Sequence, residues 1–379
     1  MKYNLFFATA LSGFILIGCG GGGGDRYIPE NLPEQKVTLG EKLYHDTSLS
    51  KDKTMSCATC HVIDSAFVDP RPTNLSLGAS LGDDLVSIAD RNAPTAAYTA
   101  FIPKFHFDKH EGLFIGGQFL DGRAADLKEQ AKGPFLNPVE MNMPDEASVI
   151  KRVQENANYV KAFKEIYGEN IFNDIEKAYD ALAETIAKFE KSKTFSPFNS
   201  KFDKVLKGTE LFSEQEQRGL ALFNSKAECH ACHPADGEKA HFTDFSYDNL
   251  GVPVNHALRV ANGKGSDFID NGLYDNPHVD DTSLKGAFRV STLRNIAVTG
   301  PYMHNGLFKD LATVVHFYNT RDVPGAINPE TGEAWGKGEV EVNKNNAELG
   351  DLKLTEEEEA DLVAFLNTLT DEQYEHLIP

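Results

Sequence analysis

Two short segments carry the residues with the clearest chemistry. Cys57-Ala58-Thr59-Cys60-His61 and Cys229-His230-Ala231-Cys232-His233 both follow the pattern C-x-x-C-H. In this pattern the two thiols add to the vinyl groups of a haem, and the histidine binds its iron. A zinc site built from Cys57, Cys60, Cys229 and Cys232 is the alternative, but it would not explain the histidine after each pair. We therefore predict two covalently bound c-type haems, with His61 and His233 as the proximal iron ligands.

The fifth cysteine, Cys19, follows a short apolar stretch at the N-terminus. Residues 1–18 contain the single charge of Lys2 and an apolar stretch from Leu5 to Ile17, which is too short for a confident membrane span. The segment resembles a bacterial lipoprotein signal, which predicts cleavage before Cys19, a lipid on its thiol and a glycine-rich tether over residues 19–30. An ordinary signal peptide that leaves Cys19 free is the alternative. We expect a periplasmic protein anchored to the membrane by lipid, and Gly20 lacks the Asp associated with inner-membrane retention, which favours the outer membrane.

Length and charge narrow the class of protein further. A chain of 379 residues is long enough for about two domains of ~150 residues. The net charge of −20 repels phosphate backbones, which argues against a nucleic-acid partner. We predict an N-terminal haem domain over residues 31–200 and a C-terminal haem domain over residues 201–379.

The elements that must hold the two haems follow the same order in both halves, as in a diverged repeat. An amphipathic helical stretch precedes each C-x-x-C-H segment, at residues 40–44 and 219–223. Three further features of the chain complete the prediction. They are a paired Arg-Asn at residues 91–92 and 294–295, a paired glycine-containing segment at residues 117–122 and 300–304, and two amphipathic helices over residues 145–193. A last helix begins after Thr355, residues 236–290 are expected to be loop, and strand signals are few. The predicted fold is mainly α, with two cytochrome c-like haem domains packed together.

Between and after the haem segments, further motifs occur in a characteristic order. They are RNAPT (91–95), DGR (121–123), GP (133–134), PVEM (138–141), FRVSTLRN (288–295), PYMHNG (301–306) and HFYN (316–319). With these motifs the chain resembles the bacterial di-haem cytochrome c peroxidase family, including its MauG branch. The resemblance covers residues from about 30 to 370.

The resemblance implies roles for residues of this chain. It places Glu140 in the distal pocket of the N-terminal haem, which is the peroxide site, with Gln130 as its partner in the pocket. Splitting the O–O bond needs a base that takes a proton and returns it, and a carboxylate in an apolar pocket can do so. The family also holds a calcium ion between the haems, and the matching positions are Asn92, Thr299 and Pro301. Oxygen ligands of this kind suit a hard cation.

Three departures from the family pattern bear on mechanism. Members that need reductive activation carry a second His in the loop after the first haem motif, where this chain has Leu77, so we expect the N-terminal haem to be open to peroxide. Tyr318 stands where the peroxidases have a Met ligand to the C-terminal haem, as in the MauG branch, and Met303 and His304 are alternative ligands. The Trp that usually precedes DGR is Leu120 here.

These observations predict a cytochrome-c-peroxidase-type oxidoreductase that reduces hydrogen peroxide to water. The electrons would come from a small redox protein, a cytochrome c or a cupredoxin, and the acidic surface favours a basic donor. A MauG-like oxidase that modifies Trp or Tyr of a partner protein is one alternative, and a non-catalytic electron-transfer lipoprotein is another. Homodimerisation is common in the family and is a further expectation.

Overall fold

The computed structural model describes residues 32–379, so the predicted signal peptide, Cys19 and the whole tether lie outside the described residues. The described chain is mainly helical with two small two-stranded sheets, which confirms the predicted fold class. In this part of the chain no helix has both the length and the apolar character needed to cross a membrane. The helices are α1 (Leu32–Tyr44), α2 (Cys57–Cys60), α3 (Pro72–Leu77), α4 (Leu127–Leu136), α5 (Glu146–Gln154), α6 (Ala157–Tyr167), α7 (Ile175–Glu190), α8 (Lys201–Leu206), α9 (Glu214–Phe223), α10 (His256–Ala261), α11 (Leu311–Thr320) and α12 (Glu356–Asn367).

The strands form two antiparallel pairs that lie between the helices. Strand β1 (His106–Asp108) pairs with β2 (Leu113–Ile115), and β3 (Tyr247–Asp248) pairs with β4 (Phe288–Arg289). Residues 236–290 are mostly irregular, as predicted, although they also contain α10 and the strands β3 and β4.

Two large hydrophobic clusters form the interior. The buried members of one run from Leu39 to Phe198 and include Tyr374, and those of the other run from Phe202 to Leu369. Burial of such clusters is the main driving force for folding, at about 25 cal/mol for each Å² of apolar surface removed from water. Each cluster also includes one or both cysteines of a C-x-x-C-H segment among its partly buried members, so each haem segment packs on its own core.

An equivalent pair of crossing helices packs on each cluster, as expected for a repeat. In the first cluster α1 crosses α7 at Gly40, where an added Cβ would overlap the Thr185 carbonyl oxygen and lie 2.8 Å from Cβ of Phe189. In the second, α9 crosses α12 at Gly219, where an added Cβ would overlap the Asp361 carbonyl oxygen and lie 2.7 Å from Cβ of Phe365. Only glycine permits this close approach of two helices.

The structure corrects one correspondence that the sequence suggested. Thr95 and Thr292 occupy equivalent places, because their hydroxyls donate to the carbonyls of Ala66 and His241 at 2.7 and 2.6 Å. The equivalent of Asn295 is therefore Tyr98: both have a left-handed backbone, with φ of 62° and 61°. The prediction that Arg91-Asn92 matches Arg294-Asn295 was wrong, because the two Arg-Asn pairs do not occupy equivalent places in the two halves.

A second correction concerns residues 145–193, which form three helices instead of two. The Asn156 side chain accepts hydrogen bonds from the backbone N–H groups of Asn158 and Tyr159 at 3.0 and 3.4 Å and so begins α6. Gly168, with φ of 100°, ends α6, and the Asp174 side chain then caps α7. By contrast, the predicted last helix is present, with Thr355 as its N-cap and Leu362, Phe365 and Leu366 buried.

Candidate functional site

Each C-x-x-C-H segment forms a short helical turn that fixes its histidine. In the first, Ser56 and Thr59 form a capping box around α2, and the N–H of His61 donates to the Cys57 carbonyl at 3.0 Å. In the second, residues Cys229–Ala231 form a 3-10 turn, and the N–H of His233 donates to the Cys229 carbonyl at 2.9 Å. The sequence therefore brings two thiols and an imidazole together without long-range contacts.

The histidine rings are held in the same way in both halves. His61 Nδ1 lies 3.1 Å from the Phe67 carbonyl oxygen, and His233 Nδ1 lies 2.7 Å from the Phe242 carbonyl oxygen. A ring nitrogen next to a carbonyl carries the proton, so Nε2 keeps its lone pair. Burial lowers the pKa of both histidines. Each imidazole is therefore held neutral, which is the state that binds a metal.

The four cysteines are unpaired and half-buried, so their thiols are available for attachment to a cofactor. None of them forms a disulfide within residues 32–379. Burial raises the pKa of Cys57 and raises the pKa of Cys60, Cys229 and Cys232 to about 12. Such thiols are poor nucleophiles on their own.

Two cavities adjoin these segments. The first cavity, of about 410 Å³, is lined by Cys57, Cys60 and His61 together with Gln130 and Glu140. The second cavity, of about 270 Å³, is lined by Cys229, Cys232 and His233 together with Tyr318. Each cavity thus combines two thiols, one neutral imidazole and a hollow in the apolar core, which is what a covalently held haem requires.

An arginine between the cavities fits the same cofactor. Arg289 lines both cavities and is 7% exposed, and no carboxylate pairs with it within residues 32–379. Its Nε donates to the Phe119 carbonyl at 3.3 Å, and burial lowers its pKa. A buried guanidinium without an anion is costly, and the propionate groups of a haem are anions of suitable size.

The predicted acid-base residue lies in the first cavity. Asn137, at the end of α4, donates from Nδ2 to Oε1 of Glu140 at 2.9 Å, and Oε2 receives no hydrogen bond from the described residues. Burial raises the pKa of Glu140, against smaller lowering effects from the Arg123 charge and from Asn137. The structure therefore gives this carboxyl one oriented oxygen and one free oxygen, beside Gln130, in the cavity that holds His61.

Helix α11 places Tyr318 in the second cavity, as α4 places Pro134 in the first. Both helices begin with an aspartate cap, Asp126 and Asp310, so Pro134 and Tyr318 occupy the same position in the two halves. Burial raises the pKa of Tyr318, and its hydroxyl has no hydrogen-bond partner in residues 32–379. A hydroxyl without a protein partner in this cavity is available as an oxygen ligand for a bound metal.

The two alternative ligands, Met303 and His304, also line the second cavity. The ring of His304 stacks on Phe288 at 3.8 Å between centroids, and its Nε2 is buried without a hydrogen-bond partner, 3.6 Å from Oε2 of Glu339. Its backbone carbonyl accepts from the N–H of Asn92 at 2.8 Å. Stacking on Phe288 fixes the orientation of the imidazole of His304.

The predicted calcium residues meet beside the wall between the cavities. Asn92 donates from Nδ2 to the Pro301 carbonyl at 2.6 Å, while its Oδ1 is buried without a partner. Asn92, Thr299 and Pro301 line the same cavity. An orphaned buried amide oxygen next to a carbonyl oxygen fits a cation that takes oxygen ligands. No cluster of three or more His, Cys, Asp or Glu side chains suited to a metal occurs in the described chain.

The wall between the cavities has no aromatic ring among the residues that line both. Those residues are Asn92, Pro94, Thr95, Leu120, Asp270 and Arg289. On the side of the first cavity, Arg91 forms ion pairs with Asp121 and Asp270, with N–O distances of 2.6 Å to each. Arg91 holds the pKa of Asp270 at about 2 despite burial. Asp270 was missed from the sequence because it lies in a stretch without periodicity, 179 residues from Arg91.

Several known proteins are similar to this chain over most of its length. A family model described as di-haem cytochrome c peroxidase matches residues 34–211. The chain is 46% identical over 350 residues, 90% of each chain, to the methylamine utilization protein MauG of Paracoccus denitrificans. It is 34% identical over 284 residues to the cytochrome c peroxidase Ccp of Escherichia coli, covering 74% of this chain and 52% of that protein. The crystal structure of the diheme peroxidase BthA from Burkholderia thailandensis superposes with a TM-score of 0.80 at 32% identity, covering 91% of this chain and 88% of that one.

Proposed function

Because the chain belongs to the di-haem cytochrome c peroxidase and MauG family, whose members carry haem c, we propose that it reduces hydrogen peroxide to water with electrons from a small redox protein. When bound, the two haems supply iron that takes up and stores the two oxidising equivalents of the peroxide. The observation that carries the proposal is Glu140, a half-buried carboxyl of raised pKa that lines the same cavity as His61.

Glu140 would move the proton within the peroxide. Asn137 fixes Oε1 of Glu140 and leaves Oε2 free. Oε2 would take a proton from one peroxide oxygen and deliver it to the oxygen that leaves as water. A raised pKa matches this double role, because the group must release the proton as easily as it accepts it. Gln130 would orient the peroxide by hydrogen bonds from its amide. The balance is H₂O₂ + 2 e⁻ + 2 H⁺ → 2 H₂O.

Access to the first cavity supports the same function. His61 is the only histidine among the residues that line it, and Leu77 is not one of them. No described imidazole other than His61 is therefore in place to block the position where peroxide would bind. A resting ferric spectrum with two histidine ligands on the N-terminal haem would contradict this part of the proposal.

The remaining assignments complete the proposal. His61 and His233 would be the proximal ligands, Tyr318 the sixth ligand of the C-terminal haem, and Asn92, Thr299 and Pro301 the calcium ligands. Cys19 would carry the lipid that anchors the chain to a membrane in the periplasm. A phenolate is a harder donor than a thioether and lowers the potential of the iron it binds.

A second candidate is a MauG-like oxidase that modifies a partner protein. The 46% identity to MauG and the position of Tyr318 favour it. Leu120 counts against it, because transfer of oxidising equivalents to a partner benefits from an oxidisable ring between the haems. Rapid peroxide consumption with reduced cytochrome c would support the peroxidase, and negligible turnover beside covalent modification of a neighbouring gene product would support the oxidase.

The test of the peroxidase is the variant Glu140→Gln in the haem-loaded protein. Loss of a general acid-base group lowers kcat by about 10²- to 10⁴-fold. The matched control is Glu129→Gln on α4, because Glu129 pairs with Lys128 and Lys132 at the surface and lines neither cavity. Wild-type peroxide turnover by Glu140→Gln, measured with reduced cytochrome c, would refute the role of Glu140. Absence of turnover in the haem-loaded wild type would favour a non-catalytic electron carrier.

A further inference from the structure

The only tryptophan of the chain lies at the surface beside the helix that carries Tyr318. Trp335 is half-buried in the loop after α11. Its ring centroid lies 5.2 Å from that of Phe317, 5.7 Å from that of Phe308 and 5.9 Å from that of His316. An oxidisable indole is therefore built into the packing of α11 and is not a loose surface side chain.

One buried ring connects this tryptophan to the second cavity. Phe317 is fully buried, and its ring centroid lies 6.4 Å from that of Tyr318, whose side chain lines the cavity. Trp335 and Tyr318 thus both contact the same aromatic ring. An unbroken aromatic path leads from the protein surface to the cavity of the C-terminal haem, whereas the wall between the two cavities has no such ring.

The surroundings of Trp335 suit a ring that becomes positively charged for a short time. The indole N–H donates to Thr320 Oγ1 at 3.0 Å, which fixes the orientation of the ring. On the neighbouring His316, Nδ1 lies 2.9 Å from Oε1 of Glu359. The carboxylate of Glu359 is separated from the indole by the ring of His316, and its negative charge favours a cation on the indole.

The loop around Trp335, residues 328–341, is acidic at the surface. Glu330, Glu333 and Glu341 are exposed, and Lys337 is the one exposed cation of this loop. The whole chain carries a net charge of −20. Electrostatic complementarity steers a partner of opposite charge toward such a surface and raises the rate of encounter. The kind of partner that fits is a small redox protein with a basic face.

We infer that Trp335 relays electrons, one at a time, from a basic redox protein docked on the loop 328–341 to the cavity of the C-terminal haem. The oxidising equivalent in that cavity takes one electron from the indole, and the donor returns one electron to it. Two donor molecules are oxidised by one electron each for every hydrogen peroxide reduced, and the two protons end in water. The inference deepens the proposed function and rests on it.

The test compares Trp335→Phe and Trp335→Tyr in the haem-loaded protein, with peroxide and a basic cytochrome c reduced beforehand. Phe keeps an aromatic ring in the packing but is hard to oxidise, so kcat for the donor should fall while its KM stays near the wild-type value. Tyr is oxidisable and should restore part of kcat. The control is Tyr167→Phe, which removes an oxidisable ring that lines neither cavity and should leave kcat unchanged.

A second readout does not depend on turnover. The wild type is treated with peroxide without any donor, and its peptides are mapped by mass spectrometry for oxygen added to Trp335. Preferential oxidation of Trp335 is expected. In the turnover assay, Glu333→Gln should weaken the salt dependence of the donor reaction, because it removes one of the three exposed glutamates of the loop. Unchanged kcat in Trp335→Phe, or oxidation spread over other residues, would overturn the relay. If no donor supports peroxide turnover, the proposed function fails instead, and the oxidation map still decides whether Trp335 is the exit of oxidising equivalents.

Discussion

Glu190 is a buried carboxyl whose cost to the fold can be measured directly. It is the last residue of α7, is 6% exposed and lines the first cavity, and its Oε2 has no hydrogen-bond partner in the described chain. In the C-terminal half the equivalent position is Leu366, one residue after Phe365 as Glu190 is one after Phe189. Burial raises the pKa of Glu190 from 4.5 to about 8.

This raised pKa sets the sign of the pH dependence. Below pH 4.5 the carboxyl is protonated in both the folded and the unfolded chain, so it contributes nothing to the dependence. Between pH 4.5 and about 8 the unfolded chain loses the proton while the folded chain keeps it, so the free energy of unfolding falls as pH rises. At about 1.4 kcal/mol for each pH unit, the loss reaches roughly 3 kcal/mol at pH 7.

The variant Glu190→Gln removes this dependence, because the amide has the shape of the protonated acid and does not ionise. Urea unfolding of the haem-loaded protein, followed by circular dichroism at several pH values from 5 to 8, gives the free energies of unfolding. The variant should exceed the wild type by less than about 1 kcal/mol at pH 5 and by about 3 kcal/mol at pH 7. Glu176→Gln, an exposed carboxyl on the same helix, is the control and should follow the wild type. Parallel pH profiles for Glu190→Gln and the wild type would refute the reasoning.

Two further predictions concern the helix crossing and the calcium ligands. Gly219→Ala should lower the free energy of unfolding by about 1 to 3 kcal/mol, because the added methyl group overlaps the Asp361 carbonyl of α12; Gln217→Ala, at an exposed position of α9, should change it by less than about 0.5 kcal/mol in urea unfolding. Asn92→Ala should lose the calcium that metal analysis finds in the wild type after dialysis, because the orphaned Oδ1 of Asn92 is its proposed side-chain ligand. Equal calcium content in the wild type and in this variant would remove Asn92 from the site.

Much of the molecule follows from patterns that are local in the sequence. The two C-x-x-C-H segments predict the cofactor and its attachment, since the spacing that places two thiols and one imidazole on a single turn needs no distant partner. The family and the mainly α fold, both predicted from motifs and helical periodicity, are confirmed. The last helix begins at its predicted cap, because the Thr355 side chain and the N–H of Glu358 are three residues apart.

Predictions that required matching one half of the chain to the other were less reliable. The Arg-Asn pairs at 91–92 and 294–295 are identical in sequence, yet the residue equivalent to Asn295 in the N-terminal half is Tyr98. Residues 145–193 form three helices and not the predicted two, because apolar periodicity continues across the cap at Asn156. Similarity of residue type does not reveal which backbone positions coincide.

What only the tertiary structure decided is the set of pairings between distant residues. Arg91 meets Asp270 across 179 residues, and Trp335 joins Tyr318 through Phe317. Arg289 lines both cavities and has no carboxylate partner among residues 32–379. The sequence alone determined which groups exist and which turns present them. It could not determine these contacts, because the free energy of a buried charge or ring depends on neighbours that the packing of the two halves supplies, and no local pattern encodes that packing.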